Sequence, residues 1–298
     1  MNRHIIKLIR PHQWLKNAFV FTPLFFDRHA TDWCYVWPCI ATCLAFCMAA
    51  SGIYCFNDVH DCEADRRHPM KCMRPVASGV VSKRAAYATM AMAWAVAFAL
   101  IALTRLLRAD NQKVLAVTLL LYITMNVAYS LKLKQIAILD VFIIAAGFVL
   151  RVVAGGQATG IILSHWIVLT TFLLALFLAM AKRRDDAALF EMSGLKARKN
   201  VERYSMDFLK SSISILGSIT IMCYILYTVS TDVVERMGSH YVYATSVFVL
   251  AGILRYMQLT IVDQQSGSPT KILLHDPFIQ ICIIGWITTF AVILYAPL

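Results

Sequence analysis

The chain has 298 residues, of which 59% are hydrophobic and 15% are charged, and its mean hydropathy is +0.65. Soluble globular domains rarely reach such values, so the composition excludes an ordinary soluble enzyme and indicates an integral membrane protein. The net charge of +11 does not indicate nucleic-acid binding. The basic residues lie in short loops beside apolar segments, where lipid headgroups and phosphate substrates are the expected partners.

Nine apolar stretches are candidate membrane spans. They lie at about 17–28, 34–56, 85–104, 112–130, 136–155, 161–181, 209–230, 241–262 and 276–297. The first is short and is interrupted by Pro23, and we interpret it as a retained helix because no small-residue cleavage site follows Phe26. We therefore expect an all-α integral membrane protein that forms a single domain over residues 1–298.

Positive charge alternates between successive connections. Of the 28 Lys and Arg residues, 22 lie in the amino-terminal segment and in loops 2–3, 4–5, 6–7 and 8–9, and 6 lie on the opposite side. Because basic loops stay inside, we expect a protein of the cell (inner) membrane with a cytoplasmic amino terminus and its carboxyl terminus outside. The two long cytoplasmic loops, near 57–84 and 182–208, are about 125 residues apart, which hints at a duplicated half-structure.

An acidic cluster follows the second predicted span, where residues 57–65 read NDVHDCEAD. On a helix, Asp58, Asp61 and Asp65 fall within an arc of about 60°, whereas Glu63 points away from them. Three carboxylates on one face need a cationic partner. Mg²⁺ takes oxygen ligands and commonly shares its coordination shell with substrate phosphates. The cluster therefore predicts a Mg²⁺-diphosphate site with these three aspartates as metal ligands.

The nine cysteines do not predict a disulfide framework. Most of them lie within apolar helices, where we interpret them as small packing residues. Cys62 and Cys72, with His60 and His68 nearby, offer the alternative of a zinc site. Their spacing matches no common zinc pattern, so we favour thiols that only border the carboxylate cluster.

Basic and polar residues accompany the acidic cluster. Arg74 is held in extended geometry by Pro75, and a guanidinium can bind two phosphate oxygens at once, so we predict that Arg74 binds phosphate. Lys16 and Asn17 stand where the first apolar stretch begins. They could line the roof of a cytoplasmic-side cavity, or they could belong to a membrane anchor together with the interfacial Trp14.

The fifth predicted span carries two ionisable residues and is preceded by Tyr129 and Lys134. Within it, Asp140 and Arg151 are eleven residues apart, which on a helix is about 16 Å of rise at nearly the same azimuth. A buried arginine is costly in a membrane and normally faces a cavity or a partner. We therefore expect Arg151 to face a cavity, unless it lies near the outer interface.

The loop after the sixth span begins with Lys182-Arg183-Arg184-Asp185-Asp186. It holds eight positive charges, more than orientation in the membrane requires, which favours a role in binding anions. The loop later supplies Lys196, Arg198, Lys199, Arg203 and Tyr204, and the eighth charge is Lys210 at the start of the seventh span. The loop contains no second Asp-x-x-Asp or Asp-x-x-x-Asp pair.

With its nine predicted spans and its Asn57-Asp58-x-x-Asp61-x-x-x-Asp65 motif, the chain resembles the UbiA superfamily of intramembrane prenyltransferases over nearly its whole length. Within that superfamily it is most similar to the decaprenyl-phosphate phosphoribosyltransferase branch. Four stretches carry this similarity: Arg10-Pro11-x-Gln13-Trp14-x-Lys16-Asn17, Arg74-Pro75, Leu133-Lys134 followed by Asp140 and by Gly147 to Arg151, and Lys182-Arg183-x-x-Asp186. The branch usually has glutamate where this chain has Asp186, so the carboxylate is one methylene shorter.

The resemblance implies a helical bundle around a cytoplasmic-side cavity. It also implies a Mg²⁺-dependent transfer of 5-phosphoribose from phosphoribosyl diphosphate to a polyprenyl phosphate that enters from the bilayer, with release of diphosphate. The expected catalytic residues are Asp58, Asp61, Asp65, Lys134 and Asp140. The expected substrate-binding residues are Lys16, Asn17, Asn57, Arg74, Tyr129, Arg151, Lys182, Arg183 and Asp186.

Three other functions could use the same residues. A UbiA-type prenyltransferase would move a prenyl group from a prenyl diphosphate to an aromatic acceptor, but the missing second aspartate motif disfavours it. A CDP-alcohol phosphatidyltransferase would need glycine where Cys62 stands. A transporter would place the acids and Arg151 along a permeation path, but transporter sites tend to lie near the bilayer midplane, whereas this cluster belongs to a cytoplasmic loop.

Overall fold

A computed structural model describes residues 2–27, 31–67, 71–107, 111–193, 203–263 and 269–295. The regular structure of these residues is helical throughout, which confirms the predicted all-α class. The α-helices, in chain order, are α1 (Asn2–Ile9), α2 (Thr22–Phe26), α3 (Trp33–His60), α4 (Cys62–Arg66), α5 (Lys83–Thr104), α6 (Gln112–Leu131), α7 (Leu139–Thr159), α8 (His165–Ser193), α9 (Met206–Val229), α10 (Thr231–Met237), α11 (Ser246–Met257), α12 (Pro269–His275) and α13 (Pro277–Tyr295).

Eight segments of the described chain are long and apolar enough to cross a membrane. They correspond to the second to ninth predicted spans and comprise α3, α5, α6, α7, the larger part of α8, α9, the segment His240–Val262 and most of α13. These helices carry exposed aliphatic side chains, for example Val117, Leu120 and Leu121 on α6 and Ile281 and Ile284 on α13. Such apolar faces are suited to lipid, and the protein is a multi-pass membrane protein.

The first predicted span has a different structure from the others. Pro11–Phe21 forms a 3₁₀ helix, and the five-residue α2 follows it directly. Pro23 lies in the first turn of α2, where a missing N–H costs nothing, but the same missing N–H prevents one continuous α-helix from running through this point. Hydropathy therefore located the apolar segment correctly but could not give its conformation.

Two cysteine thiols of α3 hydrogen-bond to the 3₁₀ segment, Pro11–Phe21. Cys39 Sγ donates to the carbonyl oxygen of Val20 at 3.4 Å, and Cys43 Sγ donates to that of Asn17 at 3.5 Å. These contacts give partners to carbonyl groups that 3₁₀ geometry satisfies poorly. All nine cysteines are free thiols, as expected for packing residues.

Contacts between Cα atoms divide the chain into two compact units. Unit 1 comprises Met1–Lys134 and Gly147–Leu163, and unit 2 comprises Gln135–Ala146 and Ser164–Leu298. Each unit contains one of the two long loops that the sequence places on the cytoplasmic side. The expectation of a single domain over the whole chain stays a prediction.

Small residues allow the helices of unit 1 to approach closely. The core between α3, α5, α6 and the last part of α7 is rich in alanine, including Ala45, Ala49, Ala97 and Ala154. Helix association in membranes depends on such close packing, because lipid is as apolar as the side chains themselves. The core holds together the helices on which the acidic cluster and Arg151 stand.

In unit 2, α8 packs against α9, and α11 packs against α9 and α13. Three polar side chains of this unit form a chain of hydrogen bonds between helices: Trp286 Nε1 donates to the Tyr224 hydroxyl at 2.6 Å, and this hydroxyl lies 2.7 Å from Thr245 Oγ1. Pairing is required here because an unsatisfied polar group is costly in a membrane interior. These bonds tie α9, α13 and the residues before α11 together.

The 3₁₀ segment leaves no space beside Gly155. A Cβ atom at this position would lie 1.9 Å from the carbonyl oxygen of Val20, so the backbone would have to move. We expect Gly155→Ala to lower the free energy of unfolding by about 1–3 kcal/mol, as overpacked cores do. The measurement is the thermal midpoint of the detergent-purified protein.

Gly252→Ala is the matched control, since Gly252 also lies in a membrane helix but a Cβ atom there would meet only Cys282 Cβ at 3.8 Å. Alanine favours helices over glycine, so this variant should be as stable as the wild type or slightly more so. An equal decrease of the thermal midpoint in the two variants would show that the close approach of Gly155 to Val20 does not limit stability.

Candidate functional site

The acidic cluster of unit 1 lies at one end of α3. Asp58 is in the last turn of α3, Asp61 stands between α3 and α4, and Asp65 is in α4. The backbone remains nearly helical across the junction, since the amide of Asp61 bonds to the carbonyl of Asn57 at 2.9 Å and that of Asp65 bonds to Asp61 at 2.8 Å. The three aspartates therefore keep the helical spacing that the sequence predicted.

Two arginines bind the buried carboxylates of Asp58 and Asp65. Arg74 Nη1 lies 2.6 Å from Asp65 Oδ2 and 3.6 Å from Asp58 Oδ1. Arg10 Nη2 also donates to Asp58 Oδ1. The side chains of Asp58 and Asp65 are only 1% and 6% exposed, and buried charges of this kind require ionic partners.

Asp61 has a different partner. Lys134 Nζ, 73 positions later in the chain, donates to both of its carboxylate oxygens at 2.7 and 2.8 Å. Lys134 lies in a short 3₁₀ turn, Leu133–Gln135, directly after α6. The structure thus brings two of the predicted catalytic residues together as an ion pair.

The oxygen atoms of Asp58 and Asp65 suit a hard divalent cation. Both carboxylates approach the same atom of Arg74, and Asp58 Oδ2 is buried without a hydrogen-bond partner among the described residues. Such oxygens are the donors that Mg²⁺ prefers. In the part of the chain that the structure describes, no three His, Cys, Asp or Glu side chains converge as a metal cluster. The geometry favours Asp58 and Asp65, and the site with all three aspartates stays a prediction.

Cys62 belongs to an apolar cluster. It is buried with Leu8, Cys55, Val59 and Val76, and its thiol donates to the carbonyl oxygen of Val76 at 3.6 Å. These contacts explain Cys62 as a packing residue. Of the other residues considered for a zinc site, His68 lies outside the described residues.

A second cluster in unit 1 surrounds Arg151, which is 8% exposed. Its guanidinium donates three bonds of 2.7 Å, to Asn17 Oδ1, to the carbonyl oxygen of Gly147 and to the Tyr122 hydroxyl. The guanidinium carbon also lies 4.8 Å and 5.2 Å from the ring centroids of Tyr122 and Phe148. Arg151 and Asn17 were both predicted as site residues, and the structure joins them by a direct hydrogen bond.

Unit 2 contains a buried ion-pair network around Arg183. Arg183 Nε lies 2.9 Å from Asp140 Oδ2, and Arg183 Nη1 donates to Asp186. Asp140 and Arg183 are 0% and 1% exposed. Arg183 Nη2 is buried and has no hydrogen-bond partner among the described residues, so this donor is available to a ligand.

Tyr204 completes this network. Its hydroxyl donates to Asp140 Oδ1 at 2.7 Å and accepts from the amide of Ile138 at 2.7 Å. Ile138 has a φ of 70°, a left-handed conformation that is costly for a β-branched residue. Burial and the bond to Asp140 raise the pKa of the Tyr204 hydroxyl above its ordinary value. The hydroxyl therefore remains protonated and can donate to Asp140 at neutral pH.

The remaining predicted residues differ in exposure. Lys182 is exposed, while Lys16, Asn57 and Tyr129 are half-buried. Three charges of the same loop, Lys196, Arg198 and Lys199, lie outside the described residues.

Sequence reasoning did not assign Arg10, Tyr122, Arg184 or Tyr204 to the site. Arg10 is part of one of the four stretches that carry the family similarity, and Tyr204 lies in the basic loop after the sixth span. The sequence near these two residues does not indicate which distant residue each one binds. Arg184, next to Arg183, is 1% exposed and pairs with Asp185 at 3.6 Å.

Comparison with known proteins identifies relatives over nearly the full chain. The profile of the UbiA prenyltransferase family matches residues 19–279. Decaprenyl-phosphate phosphoribosyltransferase of Mycolicibacterium smegmatis is 34% identical over 301 residues, which cover 98% of this chain and 92% of that protein. The protein of the same name from Mycobacterium tuberculosis is 33% identical over 289 residues, with coverages of 96% and 92%.

Solved structures share the fold. A UbiA homolog from Archaeoglobus fulgidus, bound to GPP and Mg²⁺, superposes with a TM-score of 0.71 at 20% identity and covers 98% of this chain and 99% of its own. The apo structure of a UbiA homolog from Aeropyrum pernix gives a TM-score of 0.68 at 17% identity, with coverages of 92% and 97%.

The bonds around Tyr204 generate a prediction about stability. Tyr204→Phe removes one partner from Asp140 and one from Ile138, and Asp140→Asn removes the charge that faces Arg183. Since the two residues share one hydrogen bond, we expect their effects on the free energy of unfolding to be non-additive by about 0.5–3 kcal/mol. The measurement is thermal unfolding of both single variants and the double variant.

Tyr87→Phe serves as the control, because the Tyr87 side chain is exposed on α5. We expect Tyr87→Phe to leave the thermal midpoint of the wild type unchanged, and to leave that of Asp140→Asn unchanged when the two substitutions are combined. Strict additivity of Tyr204→Phe with Asp140→Asn would contradict the described bond.

Proposed function

The chain belongs to the UbiA prenyltransferase family, and on this premise we propose that it transfers 5-phosphoribose from phosphoribosyl diphosphate to a polyprenyl phosphate, with release of diphosphate. That it is a membrane-embedded transferase follows from the family. The choice of substrates is supported by the names of its relatives, which are decaprenyl-phosphate phosphoribosyltransferases at 33–34% identity over nearly the full chain.

The observation that carries the proposal is the pair of buried carboxylates, Asp58 and Asp65, that approaches one guanidinium, Arg74. We infer that this pair holds Mg²⁺, with Asp61 as the third predicted ligand. When bound, the metal supplies positive charge that neutralises the oxygens of the diphosphate. Arg74 and Lys134 are already held beside these carboxylates and provide further positive charge for a diphosphate.

The residues of unit 2 are suited to binding phosphate groups. Arg183 is fixed by Asp140 and Asp186 and retains a buried N–H donor without a partner in the described chain. A fixed guanidinium binds phosphate oxygens without first losing its own conformational freedom. Tyr204 keeps Asp140 in place, and Lys182 adds an exposed charge beside Arg183.

The proposed reaction requires little proton transfer. The acceptor is a phosphate monoester, which is largely ionised near pH 7, so one of its oxygens can attack C1 of the ribose without a general base. The bond between C1 and the diphosphate oxygen breaks as the new bond forms, and the electron pair leaves with the diphosphate. The contribution of the chain is to orient both anions and to stabilise the charge on the leaving group.

The charge pattern of the loops supports a location in the cell (inner) membrane, with the amino terminus and the acidic cluster in the cytoplasm. In that orientation the soluble sugar diphosphate enters from the cytoplasm and the lipid acceptor enters from the bilayer.

A transfer assay tests the proposal. Purified protein in detergent is given Mg²⁺, radiolabelled phosphoribosyl diphosphate and a polyprenyl phosphate, and the label is followed into the lipid phase. We expect transfer by the wild type, a loss of at least about 100-fold in Asp58→Asn and Asp65→Asn because the leaving group loses its charge stabilisation, and no transfer with EDTA.

Asp32→Asn is the matched control. Asp32 caps the opposite end of α3 through the amide of Cys34, and asparagine caps helices about as well, so transfer should continue. Absence of transfer by the wild type, together with consumption of a prenyl diphosphate in the presence of an aromatic acceptor, would replace the proposed reaction by the prenyl transfer considered above.

A further inference from the structure

Charge is balanced at Asp58 and Asp65 before any metal is added. The two carboxylates carry two negative charges, and Arg10 and Arg74 carry two positive charges. A divalent cation placed on the same carboxylates would meet two guanidinium groups at close range, in a buried site where such repulsion is screened weakly. Metal binding to the carboxylates therefore favours the departure of one arginine.

Arg74 lies close in the chain to the carboxylates that it binds, nine positions after Asp65. It bonds to Asp65 at 2.6 Å, and Pro75 follows it in the chain. Its carbonyl oxygen accepts from the amide of Ser78 at 2.9 Å. These contacts fix Arg74 in a compact turn beside α4.

Arg10 reaches Asp58 from the amino-terminal segment and in a costly conformation. Its φ and ψ are 52° and 62°, in the left-handed region that residues with a side chain adopt rarely. The segment is tied to α3 by bonds from Trp14 Nε1 to Ser51 Oγ, 3.0 Å, and from Ser51 Oγ to the carbonyl oxygen of Ile9, 2.9 Å. The ion pair with Asp58 thus helps to hold a strained backbone.

The guanidinium of Arg10 also has a second partner. Its central carbon lies 5.0 Å from the ring centroid of Tyr54, one turn before Asp58 on α3. A cation can stay on an aromatic face without a carboxylate. Arg10 can therefore release Asp58 without the whole amino-terminal segment leaving α3.

From these observations we propose that Arg10 is a counter-ion that competes with the metal for Asp58. Metal binding displaces Arg10 from Asp58, relaxes the backbone at residue 10 and loosens the adjoining amino-terminal segment, residues 8–14. This inference rests on the metal site of the proposed function, but it does not depend on whether the donor is a sugar diphosphate or a prenyl diphosphate.

Binding of Mn²⁺ alone tests the competition. The free Mn²⁺ signal in electron paramagnetic resonance gives the affinity of the detergent-purified wild type, Arg10→Gln and Arg66→Gln. Arg66→Gln removes the same charge nearby, from an exposed side chain paired with Glu63. We expect Arg10→Gln to bind Mn²⁺ about tenfold more tightly than the wild type, as removal of a competing charge-assisted hydrogen bond predicts, and Arg66→Gln to change the affinity less than about twofold.

Hydrogen exchange of the wild type provides a test that needs no variant. Addition of Mg²⁺ should speed amide exchange in peptides that cover residues 8–14, where the Gln13 amide bonds to the carbonyl of Arg10 at 2.9 Å, and should leave peptides from α13 unchanged. Equal Mn²⁺ affinity in wild type and Arg10→Gln, or unchanged exchange at 8–14, overturns the competition and leaves the metal site standing. If none of the three proteins binds Mn²⁺, both the competition and the metal site are overturned. The proposed reaction is tested separately by the transfer assay.

Discussion

Buried carboxylates that must be neutralised are the constraint on which this structure depends. An uncompensated charge away from water costs far more than the protein's net stability allows. Asp58, Asp65 and Asp140 are all buried, and each is paired with an arginine. The pairs of Arg10 and Arg74 tie the amino-terminal segment and the turn after α4 to the end of α3 and to α4, and the pair of Arg183 ties α8 to the start of α7.

The membrane helices and the spacing of the aspartates could be predicted from the sequence, because both are local properties. Hydropathy over about 20 residues locates a span, and the 3.6-residue period places Asp58, Asp61 and Asp65 on one face. The conformation of residues 11–26 could not be obtained in this way. It depends on Pro23, which prevents one continuous α-helix, and on carbonyl contacts with the thiols of α3.

The cationic half of the site was predicted only in part, because pairing between distant residues leaves no local pattern. Arg74 was recognised as a phosphate-binding candidate and Lys134 as a catalytic candidate, but their partners, Asp65 and Asp61, could not be assigned. Arg10 lies 48 positions from Asp58 and Tyr204 lies 64 positions from Asp140. The signals that the sequence did contain, a basic residue before proline and a tyrosine in a basic loop, are common in membrane proteins for reasons unrelated to catalysis.

Arg151 shows how the same constraint is met without a carboxylate. Its charge is surrounded by an amide oxygen, a carbonyl oxygen, a hydroxyl and two aromatic faces. The oxygens orient dipoles toward it and the rings present their negative faces, and all of these groups are neutral. The guanidinium therefore keeps its full positive charge, whereas those of Arg10, Arg74 and Arg183 are offset by aspartates. Fixed neutral dipoles need not reorganise when a ligand arrives. For the proposed reaction, in which both substrates are anions, this difference matters, because a cation held by neutral groups attracts an anion without having to release a carboxylate first.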